Sequence, residues 1–133
     1  MFACTQMGGL DIAFPDTCNT PLAAGAPVPI PYPNINTGLT SIPGCLTVFI
    51  SGMPAHTLLT QGTISNGDEV GCELGLTSLL MMGPSRKMLG SLTSFLEGQP
   101  ATKMTSFTGQ NGFNMNAPGA NLIPSQFTVL MLT

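Results

Sequence analysis

Apolar residues in this chain come in short runs, and turn-forming residues interrupt each run before a helical period can develop. The clearest run is CLTVFI (45–50), in which Val48, Phe49 and Ile50 favour a strand and Ser51-Gly52 ends it. AHTLLT (55–60) predicts a second strand, and Asn66-Gly67-Asp68 signals a turn. LGLTSLLMMG (74–83) fits a strand or a short helix. Phe95-Leu96 and ATKMTSF (101–107) predict another strand pair, 109–121 a Gly/Asn-rich loop, and FTVLML (127–132) a final strand. Residues 1–25 are expected to be irregular, because Asp16 and Asn19 suit turns and Pro15 and Pro21 block ladders. The pattern predicts a mainly β chain, folded over 1–133 as one compact domain of short strands and Gly/Pro-rich turns.

Two segments add to this picture. In APVPIPYPN (26–34), prolines at 27, 29, 31 and 33 fix φ at every second position and remove those N–H donors. The segment should run extended, over a surface or along a sheet edge, with Val28, Ile30 and Tyr32 forming an apolar rib and Tyr32 largely buried. Separately, TVFISGMPA (47–55) echoes TSFLEGQPA (93–101), with Gly52/Gly98, Pro54/Pro100 and Ala55/Ala101 shared. Each copy predicts a strand, a Gly-x-Pro-Ala turn and a returning strand, placed pseudo-symmetrically around a common core.

Composition narrows the function. Charged residues make up 7% of the chain, against roughly 25% in an average domain. So little charge suggests that a partner covers much of the surface. The basic residues are Arg86, Lys87 and Lys103, too few to grip a phosphate backbone or an anionic membrane, so nucleic acid and stable membrane association are excluded as partners. The opening residues lack a basic region followed by an apolar stretch, which predicts cytoplasmic synthesis without a signal peptide.

Candidate chemistry is sparse. Cys4, Cys18, Cys45 and Cys72 show no C-x-x-C spacing and are expected to be free thiols. A tetrahedral zinc site made of His56 with Cys18, Cys45 and Cys72 has suitable ligand types. The lack of short ligand spacing favours instead buried small cysteines and a surface histidine. Asp68 reads as a turn residue closing backbone hydrogen bonds rather than an acid/base partner of Glu69. A hydrolase would have to use His56, which sits in a Pro-Ala-His turn without a nucleophile elbow, so no enzyme is expected. The nine methionines read as interior filler, with an adaptable cargo-binding face as the alternative.

FPDTC (14–18), VPIPYPNI (28–35), SNGDEVG (65–71) and QNGFNMNAPG (110–119), in that order and followed by PSQFTVLML (124–132), resemble the PAAR-like family of type VI secretion clusters. Pro29, Pro31, Tyr32, Pro33, Asn34, Gly67 and Asp68 carry the most specific part of that resemblance. The two turns at Gly52-x-Pro54 and Gly98-x-Pro100 are similar to the Pro-Ala-Ala-Arg turns of classical members, although that tetrapeptide is absent. The resemblance implies a short conical β structure, one copy of which caps the trimeric valine-glycine-repeat spike protein of a bacterial contractile injection machine, sharpens it for membrane puncture and attaches toxic effectors. It also implies assembly on the apparatus and delivery outside or into target cells. Classical tips bind one metal ion through histidines and a cysteine, a pattern from which the single His56 departs, and a structural zinc is carried as the weaker expectation. Two alternatives stay open: an effector adaptor using the Pro-rich arm, and a small hydrolytic effector resting on His56.

Overall fold

The longest strand lies where the chain was expected to be irregular. The computed structural model describes residues 1–21, 25–71 and 73–131. Strand β1 (Leu10–Thr20) pairs antiparallel with β2 (Val28–Thr37), the Pro-rich segment. Their register shifts by one residue between Ala13 and Asp16. That bulge moves the inward side chains of β1 from Asp11 and Ala13 to Asp16, Cys18 and Thr20.

A single 3-10 turn (Gly38–Thr40) leads into β3 (Ser41–Ile42), and β6 (Gln61–Gly62), β7 (Ser85–Lys87), β10 (Phe107–Gln110) and β11 (Ala117–Ile123) complete one sheet in the order β2-β1-β11-β10-β7-β6-β3. Two separate hairpins, β4–β5 (Phe49–Ile50, Met53–Pro54) and β8–β9 (Phe95–Leu96, Gln99–Pro100), are the two copies of the repeated sequence. Their turns, Ser51-Gly52 and Glu97-Gly98, share positive φ at both positions (53° and 80°, 51° and 79°), the two-residue hairpin geometry for which glycine is favoured.

The mainly β expectation holds, but several boundaries move. Of 45–50 only Phe49–Ile50 enters a ladder, and 55–60 and 101–106 make isolated bridges at Ala55, Thr57, Ala101 and Lys103. Residues 74–83 form neither strand nor helix and turn against β1 through a bridge from Gly75 to Cys18. Strands β10 and β11 take up much of the expected 109–121 loop, and the described part of the expected final strand, 127–131, makes one bridge, between Leu130 and Phe2, with Leu132 outside the described residues.

The inside of the sheet is polar. Among the described residues the largest fully buried side chains are His56, Gln110, Asn34, Asn36 and Asn111, whereas Phe14, Ile35, Leu46, Phe49, Leu92 and Phe127 are exposed. A buried polar group must be hydrogen-bonded to avoid a desolvation penalty, and here side chains supply the partners. Asp11 accepts two bonds from Lys87 and one each from the amides of Asn36 and Asn121, tying β1, β7, β2 and β11 together. The small apolar core (Ala3, Cys45, Ile50 and Ala55, with Val48, Leu96 and Met131 against it) lies among the hairpins.

The rib is only half formed. Ile30 and Tyr32 are half-buried rather than fully enclosed, and Val28 is exposed. Tyr32 instead closes a hydroxyl-to-hydroxyl bond of 2.6 Å with Thr20. Because Pro29, Pro31 and Pro33 cannot donate, the ladder to β1 runs through the residues between them, and the prolines turn a donor-free edge outward.

Candidate functional site

Three segments meet in a closed ring. The amide of Cys4 donates to the carbonyl of Thr102 (3.0 Å), Thr102 donates to His56 (3.3 Å), and His56 donates to Cys4 (3.0 Å). The flanking bridges follow the same cycle: Thr5 with Ala55, Thr57 with Ala101, and Lys103 with Ala3. A second set repeats it, with the amides of Gln6, Leu58 and Met104 donating to the carbonyls of Pro54, Pro100 and Phe2 at 2.9, 2.9 and 2.7 Å. Three equivalent bonds related cyclically define an approximate three-fold axis that runs between Cys4, His56 and Thr102.

Each ring segment ends a hairpin. Ala55 donates to Val48 (3.1 Å) and Ala101 to Ser94 (2.9 Å); Ala3 donates to Val129 (3.1 Å) in the same way. The third hairpin is therefore built from both ends of the chain: Leu130 bridges Phe2, and Met131 and Met1 exchange bonds of 2.6 and 2.9 Å. Turn residues then clasp the neighbouring hairpin. Glu97 accepts from the amide and hydroxyl of Thr47 at 2.7 and 2.5 Å, and these bonds hold its carboxyl below the usual range, while Ser51 bonds the hydroxyl of Thr128. Ile50, Leu96 and Met131 occupy matching positions, as do the exposed sets Leu46, Leu92, Phe127 and Phe49, Phe95, Leu130.

Among the described residues the expected zinc ligands His56, Cys18 and Cys45 do not converge. His56 is buried on the ring, not at the surface, where Nε2 lies 3.0 Å from Oε1 of Gln6. Burial, and then the positive charge of Lys87, lower its pKa to about 4. Cys45 sits in the first hairpin, its thiol pushed up by burial, and Cys72 lies outside the described residues. Cys18 stands eight residues along β1 from Leu10, about 26 Å by strand rise, which carries it away from the ring. Cys4, Cys18 and Cys45 are free thiols, as expected.

A second cluster occupies that far end of the β1–β2 ribbon. Asp16, Cys18 and Asp68 are fully buried, and their ligand-type atoms lie within 4.8 Å of one another, so by ligand type and spacing the trio could hold a metal ion. Burial raises the thiol of Cys18, with the charges of Asp16 and Asp68 adding to the effect. Burial also raises the carboxyl of Asp68, which the amide of Met82 partly offsets by donating to it at 3.2 Å. Of the motif residues, Asn34 and Asp68 belong to this cluster. Gly67 packs so tightly that a Cβ would fall 2.1 Å from the carbonyl oxygen of Pro33, and its φ of 131° also favours glycine.

Residues 9–119 match the family described as Toxin PAAR-like domain. The chain belongs to that family. Membership associates this PAAR-like domain with toxins and with the spike-tip theme of type VI secretion. Neither the comparison with curated proteins nor that with solved structures returned a match.

The sequence pattern missed the third hairpin of this PAAR-like domain because its halves lie at opposite ends of the chain. The signal is there: Thr128-Val129-Leu130-Met131 parallels Thr47-Val48-Phe49-Ile50, and Ala3-Cys4-Thr5 parallels Ala55-His56-Thr57. It also missed Asn111 and Asn116, which lie in the segment read as loop and surround the second cluster.

Proposed function

We propose that this PAAR-like domain is a non-enzymatic cap on a three-fold symmetric spike, the trimeric valine-glycine-repeat protein, with one copy per trimer. The observation that carries the reading is the closed ring of Cys4, His56 and Thr102 amides. A single chain folded with approximate three-fold symmetry can meet three identical subunits through three similar contacts. The hairpins also carry matched exposed apolar residues: Leu46, Leu92 and Phe127 are 85%, 90% and 73% exposed, although Phe127 also meets the ring of Phe2 edge-on. Burying large apolar side chains at an interface centre is the usual source of binding energy, and this chain's low charge suits a covered surface.

The adaptor reading is not favoured, because the Pro-rich arm is paired along β1 and not free for a partner. Cargo attachment and delivery to target cells belong to the proposal through family membership, and so does exit from the cytoplasm on the apparatus.

The test is native mass measurement of the chain mixed with the purified trimeric spike. One copy per trimer is expected. Leu92→Asp and Phe127→Asp should each weaken binding by at least about tenfold, as loss of a central apolar anchor does, whereas Ile35→Asp on the outer face of β2 should not. A 3:3 complex, or no complex, overturns the proposal.

A further inference from the structure

The second cluster, Asp16, Cys18 and Asp68, has the ligand types to suggest a metal ion. The surrounding amides argue otherwise. Asn34, Asn111 and Asn116 each have Oδ1 engaged by a backbone N–H: Ile35 at 3.0 Å, Gly83 at 2.9 Å and Thr77 at 2.9 Å. Those bonds fix the amide orientation, so all three Nδ2 groups turn towards the carboxylates. Asn34 Nδ2 donates to Asp16 Oδ2 at 2.5 Å, Asn111 Nδ2 to Asp16 Oδ1 at 3.1 Å and to Asp68 Oδ2 at 2.8 Å, and Asn116 Nδ2 donates to Asp16 Oδ1. Cys18 adds contacts of 3.5 and 3.6 Å to the same two carboxylates. A metal ion placed among these oxygens would face amide hydrogens where it needs lone pairs.

We propose that this asparagine–aspartate network is a metal-free clamp. It joins β1 (Asp16, Cys18), β2 (Asn34), the turn at Asp68, the segment at Met82–Gly83, and the chain leaving β10 (Asn111, Asn116). Charge-assisted hydrogen bonds are the strong class, and several converge on each carboxylate. The clamp holds together an end of the ribbon whose interior has polar side chains rather than an aliphatic core.

The experiment is elemental analysis of the chain purified from zinc- and calcium-supplemented medium, followed by melting with EDTA, zinc or calcium. Less than about 0.1 metal equivalent per chain is expected, with melting unchanged by chelator, where a structural metal site would bring one equivalent and a large loss. Asn111→Leu and Asn116→Ala should each lower the melting temperature by more than about 5 °C, since each takes a hydrogen-bond donor from a buried carboxylate. The exposed Asn114→Ala should leave it unchanged. Asn111→Asp separates the two cases on one chain. It replaces a donor with a third carboxylate, so a metal site would be strengthened and melting would rise on adding zinc or calcium, whereas the clamp is weakened and neither ion restores it. One bound equivalent with chelator-sensitive melting overturns the proposal, and so do asparagine variants that melt like the parent. Spike binding does not enter these readouts, so the clamp and the cap stand or fall separately.

Discussion

The ammonium of Lys87 lies 2.8 and 2.7 Å from the two carboxylate oxygens of Asp11, and both side chains are almost fully enclosed. It is the only ion pair among the described residues, and it spans 76 positions of sequence. Lys87→Met removes the cation but leaves a buried carboxylate. Chemical denaturation should show a loss of about 3–5 kcal/mol, and the double variant Lys87→Met/Asp11→Leu should recover part of it. A loss below about 1 kcal/mol would mean that solvent reaches Asp11 and screens the pair.

His56 makes stability depend on pH. Its folded pKa of about 4 lies below the ordinary unfolded value of roughly 6.5, so the unfolded chain takes up the proton first as the solution is acidified. Stability is therefore lost as pH falls from about 6.5 towards 4, by up to about 1.4 kcal/mol per pH unit. Asp68 acts in the opposite sense, because its raised folded pKa favours the folded state as pH falls. The informative quantity is the difference between the parent and His56→Gln, which keeps a polar group for Gln6 but does not titrate. That difference should shrink steadily below pH 6.5, and a flat difference would show that His56 can charge within the fold.

The outward edge of β2 should be kept inert by its prolines. Replacing Pro29, Pro31 and Pro33 with threonine restores three donors along the edge of β2 ahead of Ile35, whose own outward edge is already paired with Asn66, while keeping the extended backbone. The expected result is an unchanged circular dichroism spectrum with concentration-dependent self-association in light scattering. A variant that stays monomeric at high concentration would assign edge protection to something other than the prolines.

The open third hairpin predicts a tolerated rewiring of the chain. Two residues close each covalent hairpin, and two positions separate Met131 from a chain joined back to Met1. A permutant with Asn-Gly between Met131 and Met1, and new ends between Ser51 and Gly52, should fold and melt within about 5 °C of the parent. An unfolded permutant would show that the three hairpins are not interchangeable.

What the sequence disclosed was set by local chemistry. The two hairpins were legible as a repeat, but their turns fall at Ser51-Gly52 and Glu97-Gly98, ahead of the expected Gly-x-Pro-Ala turns, whose Met53–Pro54 and Gln99–Pro100 pair as strands. The pairing of VPIPYPN was legible only in part: alternate prolines forecast an extended edge, but nothing local named β1 as its partner. Strand β1 itself was missed because its buried face carries Asp11, Asp16, Cys18 and Thr20 while Ile12 and Phe14 face outward, the reverse of the usual alternation. Asp16 looked like a turn residue for the same reason, since its three asparagine partners lie 18 to 100 positions away.

The two-ended third hairpin also sets a timetable for the newborn chain. Met1 to Thr5 emerge from the ribosome well before their bonding partners at Ser125 to Met131, which lie about 120 to 130 residues further on. At a synthesis rate of about 5–20 residues per second, the first segment waits several seconds before the ring can close. Until then the hairpins at 49–54 and 95–100 have formed only two-thirds of the proposed docking face. A chain that stops before Ser125 to Met131 are made thus lacks one of three matched segments, and a partner that needs all three discriminates against it.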